Sequence, residues 1–311
     1  MKVYTDSAKF ADQLVSAASW SSCSAGDTPA LRDLCRAVFD DRPLLEADVQ
    51  ADQRWRHLLL AESSVRSQYD LLIEQRRQGV QLPDGLLCLS GAGKGLHGLR
   101  NRPWAAEAGN IHLSVHLLPE TPVAESGISL MVLAAASVVE AIDSVPDLAG
   151  KAGVKWVNDI LLDGAKVAGV LAYTEGMGRS IEAAVLGIGL NVETTPDVEG
   201  TPFVPKVGSL NDYVSDAVPY AKRHIFDALI AALSRNYQSL LDGRGSELIE
   251  RYRQRSVVLG REVEICVDDA TSPPKIVAAG RVEAIDDTLQ LHLTGVDEPI
   301  TRGRLILKSE A

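Results

Sequence analysis

Asp163-Gly164 sits between two apolar runs, Ile160-Leu161-Leu162 before it and Val167-Ala168-Gly169-Val170 after it. A tight two-residue hairpin needs positive φ at both central residues, which makes Asp-Gly in this setting a strong hairpin signal. Residues 154–157 and 160–162 therefore read as strands leading into the turn, and residues 166–173 as the strand leaving it. Residues 86–89, 111–118 and 181–190 supply further strands. A stretch at 126–142 is apolar all round and reads as a helix that must be buried. Strands of this kind around a buried helix describe an α/β body.

The rest of the chain builds outward from that body. Leu58-Leu59-Leu60 reads as a short strand running to Ser63-Ser64, either of which can cap the helix suggested by Tyr69, Leu72 and Ile73. A long amphipathic helix is expected over about 219–241, with Ile225, Leu229, Leu233 and Leu240 near one face. From residue 256 the pattern changes to short strands, around 263–267, 280–285, 289–293 and 304–307, separated by turn clusters. That is the mark of a small all-β module. Near the N-terminus, Asp6 can cap a short helix carrying Phe10, Leu14 and Val15, and residues 19–29 read as loop. The expected organisation is an extension of unassigned role over 1–55, a main domain over 56–250 and a β module over 256–311.

Composition narrows the function classes. The 311 residues carry a formal net charge of −11, which argues against a general electrostatic nucleic-acid binder. The most apolar stretch, 128–142, is interrupted by Glu140 and falls short of the roughly 20 residues a spanning helix needs. Met1-Lys2-Val3-Tyr4-Thr5-Asp6 lacks the apolar run of a signal peptide. Cys23, Cys35, Cys88 and Cys266 form no CxxC pair, so a reduced cytoplasmic setting is expected. The six histidines show no metal-ligand spacing.

Several short segments carry chemistry, each with a plain structural alternative. Gly93-Lys94-Gly95-Leu96-His97-Gly98 is formally GxGxxG, but a dinucleotide fingerprint must open a helix, and Leu99-Arg100-Asn101-Arg102-Pro103-Trp104 has a proline and no helical period. A Walker loop fails as well, because Lys94 is followed by glycine. What remains is a surface loop, or a loop that folds over an anion with Arg100, Arg102 and Trp104 facing it. Lys155, Asn158 and Asp159, clustered at a strand end, suit phosphate, a base edge and magnesium, or form a simple turn. Lys166 is either a snorkelling edge lysine or a charge held at a reaction centre. Gly187-Ile188-Gly189-Leu190-Asn191 weakens a strand and leaves one face bare, where a thin ligand can meet the backbone.

Taken in order, these segments resemble the biotin protein ligase family. Lys155-Trp156-Val157-Asn158-Asp159, Lys166, Ala168-Gly169 and Gly187-Ile188-Gly189-Leu190-Asn191-Val192 carry the specific part of the resemblance. Arg100-Asn101-Arg102-Pro103-Trp104 and Gly109-Asn110-Ile111-His112-Leu113-Ser114 are similar to that family's biotin-loop region and its next strand. The β tail, with Gly260-Arg261-Glu262-Val263 and Gly280-Arg281-Val282-Glu283-Ala284-Ile285-Asp286, is similar to its small SH3-like domain. Residues 1–55 do not resemble the DNA-binding winged helix of the repressor-type members. The resemblance implies a mixed-sheet α/β (α+β) catalytic domain of the biotin/lipoate ligase type with a C-terminal SH3-like β domain. It further implies formation of biotinyl-5′-AMP from biotin and MgATP, then biotin transfer to a lysine on the acceptor domain of a carboxylase.

The resemblance also distributes roles. Lys166, Arg100 and Arg102 are the expected catalytic group. Ser64, Gly98, Lys166, Gly169, Gly187 and Gly189 are expected at biotin, and Trp104, Lys155, Asn158, Asp159 and Asn191 at ATP, with Asp159 also holding Mg²⁺. No DNA or membrane partner is expected, and a homodimer is compatible with the sequence. The chain departs from the family pattern at three places. Ser64-Val65-Arg66 is the nearest match to a Ser-Thr-Asn stretch, Val157 replaces a proline, and Leu99 stands where the loop pattern has its central arginine. Arg100 is expected to take over from Leu99. A lipoate or other acyl ligase, or a non-catalytic ligand-binding scaffold, is the alternative.

Overall fold

The computed structural model describes residues 1–23, 28–119, 127–177, 180–215, 221–267 and 274–308. The hairpin forms where the sequence places it. Asp163 and Gly164 take φ values of 45° and 73° between β8 (Asp159–Leu162) and β9 (Ala165–Met177). β7 (Ala152–Lys155) pairs antiparallel with β8, and β9 pairs with β10 (Ser180–Leu190). Upstream, β4 (His57–Ser64), β5 (Leu86–Gly93) and β6 (Ile111–Leu117) join the same sheet. β4 and β5 run parallel, whereas β5, β6 and β10 are antiparallel neighbours.

Residues before 50 belong to this sheet. β1 (Lys2–Thr5), β2 (Ser21–Cys23) and β3 (Leu44–Asp48) extend it to ten strands in the order β2-β3-β1-β4-β5-β6-β10-β9-β8-β7. The α-amino group of Met1 donates to the Val49 carbonyl at 2.8 Å. Part of the expected 19–29 loop is strand β2, and Thr28 and Pro29 open helix α2 (Pro29–Phe39) after α1 (Ala8–Ala11). Ser7, rather than Asp6, caps α1. Ser67, rather than Ser63 or Ser64, caps α3 (Gln68–Arg77), its side chain accepting from the Asp70 N–H.

Strand alternation sorts the sheet's two faces. Leu87, Leu89, Leu113, Val115, Leu186, Ile188 and Val170 share an apolar core with α4 (Gly127–Asp143), α5 (Lys222–Leu241) and α6 (Gly245–Gln254). α4 is apolar enough to be nearly engulfed, as its sequence requires. Ser126, expected at its start, and residues 219–220 of the expected long helix lie outside the described residues. On the other face, Leu59, Ala61, Cys88 and Val185 pack with α2 and α3.

The tail folds as a four-stranded antiparallel sheet, β11 (Glu262–Cys266), β12 (Ile276–Ile285), β13 (Leu291–Leu293) and β14 (Arg304–Leu307), in the order β13-β12-β11-β14. It docks against the β7 end of the large sheet. The Val154 N–H donates to the Arg255 carbonyl at 2.7 Å, and the Trp156 indole N–H donates to the Leu289 carbonyl at 2.7 Å.

Trp55 ties the N-terminal strands to α5: it is 1% exposed, and its indole N–H donates to the Ile230 carbonyl at 3.0 Å. Trp55→Ala is expected to destabilise the protein by about 3–5 kcal/mol. Trp55→Phe, which keeps most of the packing, should cost clearly less. Chemical denaturation of the three proteins checks the order.

Candidate active site

The face of the sheet beyond α3 is where side chains become small or polar. Ser114 pairs with Gly187, His112 with Gly189, Ser90 with His112, and Gly169 with Gly189, so all six share one face. Gly187 and Gly189 have distinct occupants above them. A Cβ on Gly187 would come within 3.0 Å of the Tyr69 ring, and one on Gly189 within 2.5 Å of the Trp104 indole. The two glycines thus admit two aromatic lids, one from α3 and one from the loop after β5.

That loop folds back as its own small hairpin. The Gly93 N–H donates to Ala106 O at 3.0 Å, the Trp104 N–H to Leu96 O at 3.0 Å, and the Gly98 N–H to Arg102 O at 2.7 Å. The Trp104 indole N–H donates to His112 Nδ1 at 3.3 Å. His112 must then carry its proton on Nε2, which lies 3.3 Å from the Glu107 carbonyl. Burial pushes this imidazole down to about 4, so it is neutral. His97 behaves oppositely. Its Nε2 faces both Asp70 carboxylate oxygens at 2.9 Å and its Nδ1 faces the Gly98 carbonyl at 3.0 Å, a pair of acceptors only the protonated ring can satisfy. Burial opposes that charge, but the Gly98 carbonyl and the Asp70 carboxylate together raise its pKa.

Further along the same face, charge gathers. Lys155 and Asp159 pair across the β7–β8 turn, and Lys166 Nζ lies 2.6 Å from Asp159 Oδ1 and 5.4 Å from the Trp104 ring centre. Lys155 is 6% exposed and donates to the Phe203 carbonyl. Burial pulls its pKa down to about 8; Lys166, Arg304 and Arg102 add to the fall and Asp159 opposes it. Arg304 comes from β14, so the tail supplies part of this wall. The Asn158 side-chain N–H donates to Val170 O at 2.9 Å, and that of Asn191 donates to Gly208 O at 2.9 Å. The Asn191 side-chain oxygen is buried and has no hydrogen-bond partner among the described residues.

Most of these side chains, though not Asp70, line one cavity of about 460 Å³, a volume suited to a small-molecule ligand. Of the residues expected from sequence, Gly98, Arg102, Trp104, Lys155, Asn158, Asp159, Lys166, Gly169, Gly187, Gly189 and Asn191 meet there. Two do not. Ser64 is buried and donates its hydroxyl to the Arg66 carbonyl at 2.6 Å, closing the β4–α3 turn outside the cavity. Arg100 is exposed and absent from the lining, because Arg100 and Asn101 both take left-handed φ (57° and 58°) and the turn carries Arg100 to the outer side. Leu99 lines the cavity. Sequence reasoning missed Gln68, Tyr69, Ser90 and Arg304. The polar alternation His112-Leu113-Ser114 was the one local hint of a polar face.

Comparisons with known proteins give the chain its family. The model of the biotin/lipoate A/B protein ligase family matches residues 63–191. The biotin–[acetyl-CoA-carboxylase] ligase of Mycobacterium tuberculosis is 31% identical over 245 residues, covering 75% of this chain and 84% of that one. Its namesake from Paracoccus denitrificans is 31% identical over 204 residues, covering 64% and 79%. The chain belongs to the biotin/lipoate A/B protein ligase family. Among solved structures, the biotin protein ligase from Aquifex aeolicus in complex with biotin and ATP has the same fold, with a TM-score of 0.64 at 17% identity over 82% of this chain and 100% of that one.

Within this family the loop of the present chain is held by the imidazolium–carboxylate contact between His97 and Asp70. A group with a raised pKa contributes while protonated, so the contact is complete at low pH and is lost as pH rises through that pKa. Both partners are partly exposed, so the effect is about 0.2–1 kcal/mol, up to about five-fold in the population of the open loop. Tryptic cleavage after Lys94 or Arg100 should therefore accelerate as pH rises. In Asp70→Asn, cleavage should be faster at the start and lack that added pH dependence.

Proposed function

We propose that this protein is an ATP-dependent biotin–protein ligase, on one observation above all. A single cavity runs along β10 from an end walled by Tyr69 and small polar side chains, where the charge of His97 is matched by Asp70, to a cationic end. Gln68, Tyr69 and Ser114 lie at Gly187; Trp104 lies over Gly189; Lys166, Asp159 and Lys155 lie beyond it. This arrangement matches an acid with an uncharged polar head whose carboxylate meets a nucleotide.

Biotin's carboxylate oxygen attacks the α-phosphorus of ATP, forming the acyl-phosphate bond of biotinyl-5′-AMP as the bond to pyrophosphate breaks. Two anions must approach for this. Lys166, with Arg102 and Arg304 beside it, offsets their repulsion and stabilises the charge that develops. Lys155 and Asn158 suit the phosphates and the base, Asn191 offers its unpartnered buried oxygen to the nucleotide, and Trp104 covers the adenylate. Gly98 and Gly169 leave room for the biotin chain. Among the described residues no cluster of three or more His, Cys, Asp or Glu is able to hold a metal ion. Magnesium needs no such cluster, since it keeps several waters and is held by one or two carboxylates plus substrate phosphates. Asp159, alone among cations, fits an ion that arrives on its nucleotide and draws charge from the phosphates.

In the second half-reaction the ε-amine of an acceptor lysine, on a carboxylase biotin-carrier domain, attacks the acyl carbon, and AMP leaves. The loop over 91–104 shields the anhydride from water until then. Residues 56–250 form the catalytic part, 256–311 the module that adds Arg304, and 1–55 the strands that complete the sheet. No described helix is long and apolar enough to cross a membrane. A cytoplasmic setting fits four cysteines that form no disulfide.

Lys166→Ala should lower kcat for biotin-dependent pyrophosphate release by about 10²-fold or more while changing biotin affinity much less. Near-normal release would remove Lys166 from this role. Lys155 supplies an independent check. Phosphate beside it favours the charged amine and raises a pKa now near 8, so ATP binding at pH 8–8.5 should take up protons. Calorimetry in buffers of different ionisation enthalpy measures the uptake, and Lys155→Met should abolish it.

A further inference from the structure

Residues 7–16 lie outside the stretch matched by the family model, yet they reach the roots of two segments that wall the cavity. The first root is Gly91, where β5 runs into the 91–104 loop. Ser90 lines the cavity, so strand alternation turns Gly91 to the opposite side of the sheet. A Cβ on Gly91 would come within 2.5 Å of the ring of Phe10, on α1. Phe10 is itself buried in the main core, and its ring forms a floor under the start of the loop. The second root is Glu193. Asn191 before it and Pro196, Val198 and Glu199 after it line the cavity, whereas Glu193 does not. Its carboxylate faces Lys222 Nζ at 3.4 Å, and the same ammonium donates to Gln13 Oε1 at 3.2 Å. Lys222 is costly where it stands. It is 5% exposed and opens α5, the helix end that disfavours a cation. Arg223 beside it donates to the Asp12 and Val15 carbonyls and to the Ser16 hydroxyl, so the turn carrying Gln13 is held independently of Glu193.

Resting on the biotin-ligase reading above, we infer that residues 7–16 are a brace for the reaction: Phe10 supports the root of the loop, and Gln13, through Lys222 and Glu193, positions the strap that carries Asn191. Neither side chain lines the cavity, so both are positioning residues. One buried ammonium shared by acceptors from two distant segments fixes their relative place, which is the use that offsets its desolvation. β1 pairs with β4 and thereby delivers α1 to Gly91. The N-terminal strands thus do more than widen the sheet.

The test uses the full chain with biotin and MgATP and takes the strap first. Gln13 and Glu193 are both exposed, so substitutions there spare the core. Gln13→Ala should raise KM for ATP by about 2- to 10-fold, the range of one hydrogen bond's net contribution, and leave KM for biotin unchanged. Gln13→Glu, which keeps the acceptor, should hold the parent value. In Glu193→Ala the relay is already cut, so adding Gln13→Ala should raise KM no further. A purely structural Gln13 would lower Tm without moving KM. That result, or additive effects of the two substitutions, would overturn the relay and leave the ligase reading intact.

The loop root is read without turnover. Phe10→Leu should speed tryptic cleavage after Lys94 by up to about 10-fold, whereas Trp55→Phe, which loosens the core elsewhere, should not. Cleavage no faster than in Trp55→Phe would remove Phe10 from this role. A parent that releases no pyrophosphate with biotin would overturn the ligase reading and the strap's part in it, while the cleavage rates still judge the loop root.

Discussion

The pairing register of β6, β10 and β9 governs everything else in the site. Side chains alternate across a strand, so a slip of one residue would exchange Gly187 and Gly189 for Leu186 and Ile188 on the ligand face. That slip would also push glycines into the core against α4, where Leu186 and Ile188 now pack. Because one register buries every large side chain and the other exposes them, the hydrophobic core fixes the position of the bare strip. The cavity is a by-product of good packing on the opposite face.

Charge placement follows from the same scaffold. The β7–β8 turn sets Lys155 and Asp159 opposite one another, and the β8–β9 hairpin returns Lys166 to the same carboxylate at 2.6 Å. Concentrating Lys155, Lys166, Arg102 and Arg304 is costly in the empty protein, as the depressed Lys155 shows, with burial as the main cause. An anion bound among them would offset both the burial and the mutual repulsion. The β tail matters here because Arg304 reaches the cavity only while Trp156 and Val154 hold the module on β7.

The loop combines family character with local substitution. Trp104 packs on Gly189 and Arg102 faces the cavity, yet the left-handed turn at Arg100 and Asn101 leaves Leu99 inside and Arg100 outside. A one-residue shift that would bring Arg100 inward must break the Gly98–Arg102 and Trp104–Leu96 hydrogen bonds that shape the loop. The cations that line the cavity therefore come from β7, β9, Arg102 and the tail.

Much of this was legible in the sequence, for local reasons. Asp163-Gly164 announced its hairpin because few dipeptides accept positive φ twice, and the stretch at 126–142, apolar on every side apart from Glu140 and its serines, announced a buried helix because water excludes it. Lys155 through Asn191 showed the site because turn chemistry and strand spacing there are local and well marked. Thr28-Pro29 before Leu31, Leu34 and Val38 was an equally local helix start that went unread. The remainder depended on contacts between distant segments. Whether Ser64 or Gln68 faces the cavity turns on a helix capped by Ser67, and whether Leu99 or Arg100 does turns on two backbone dihedrals. Likewise, residues near the N-terminus join the sheet because β1 finds the open edge of β4, and Arg304 enters the site from 138 residues beyond Lys166. Composition and periodicity specify which residues are buried, but only the closed fold decides which polar atoms are left without partners.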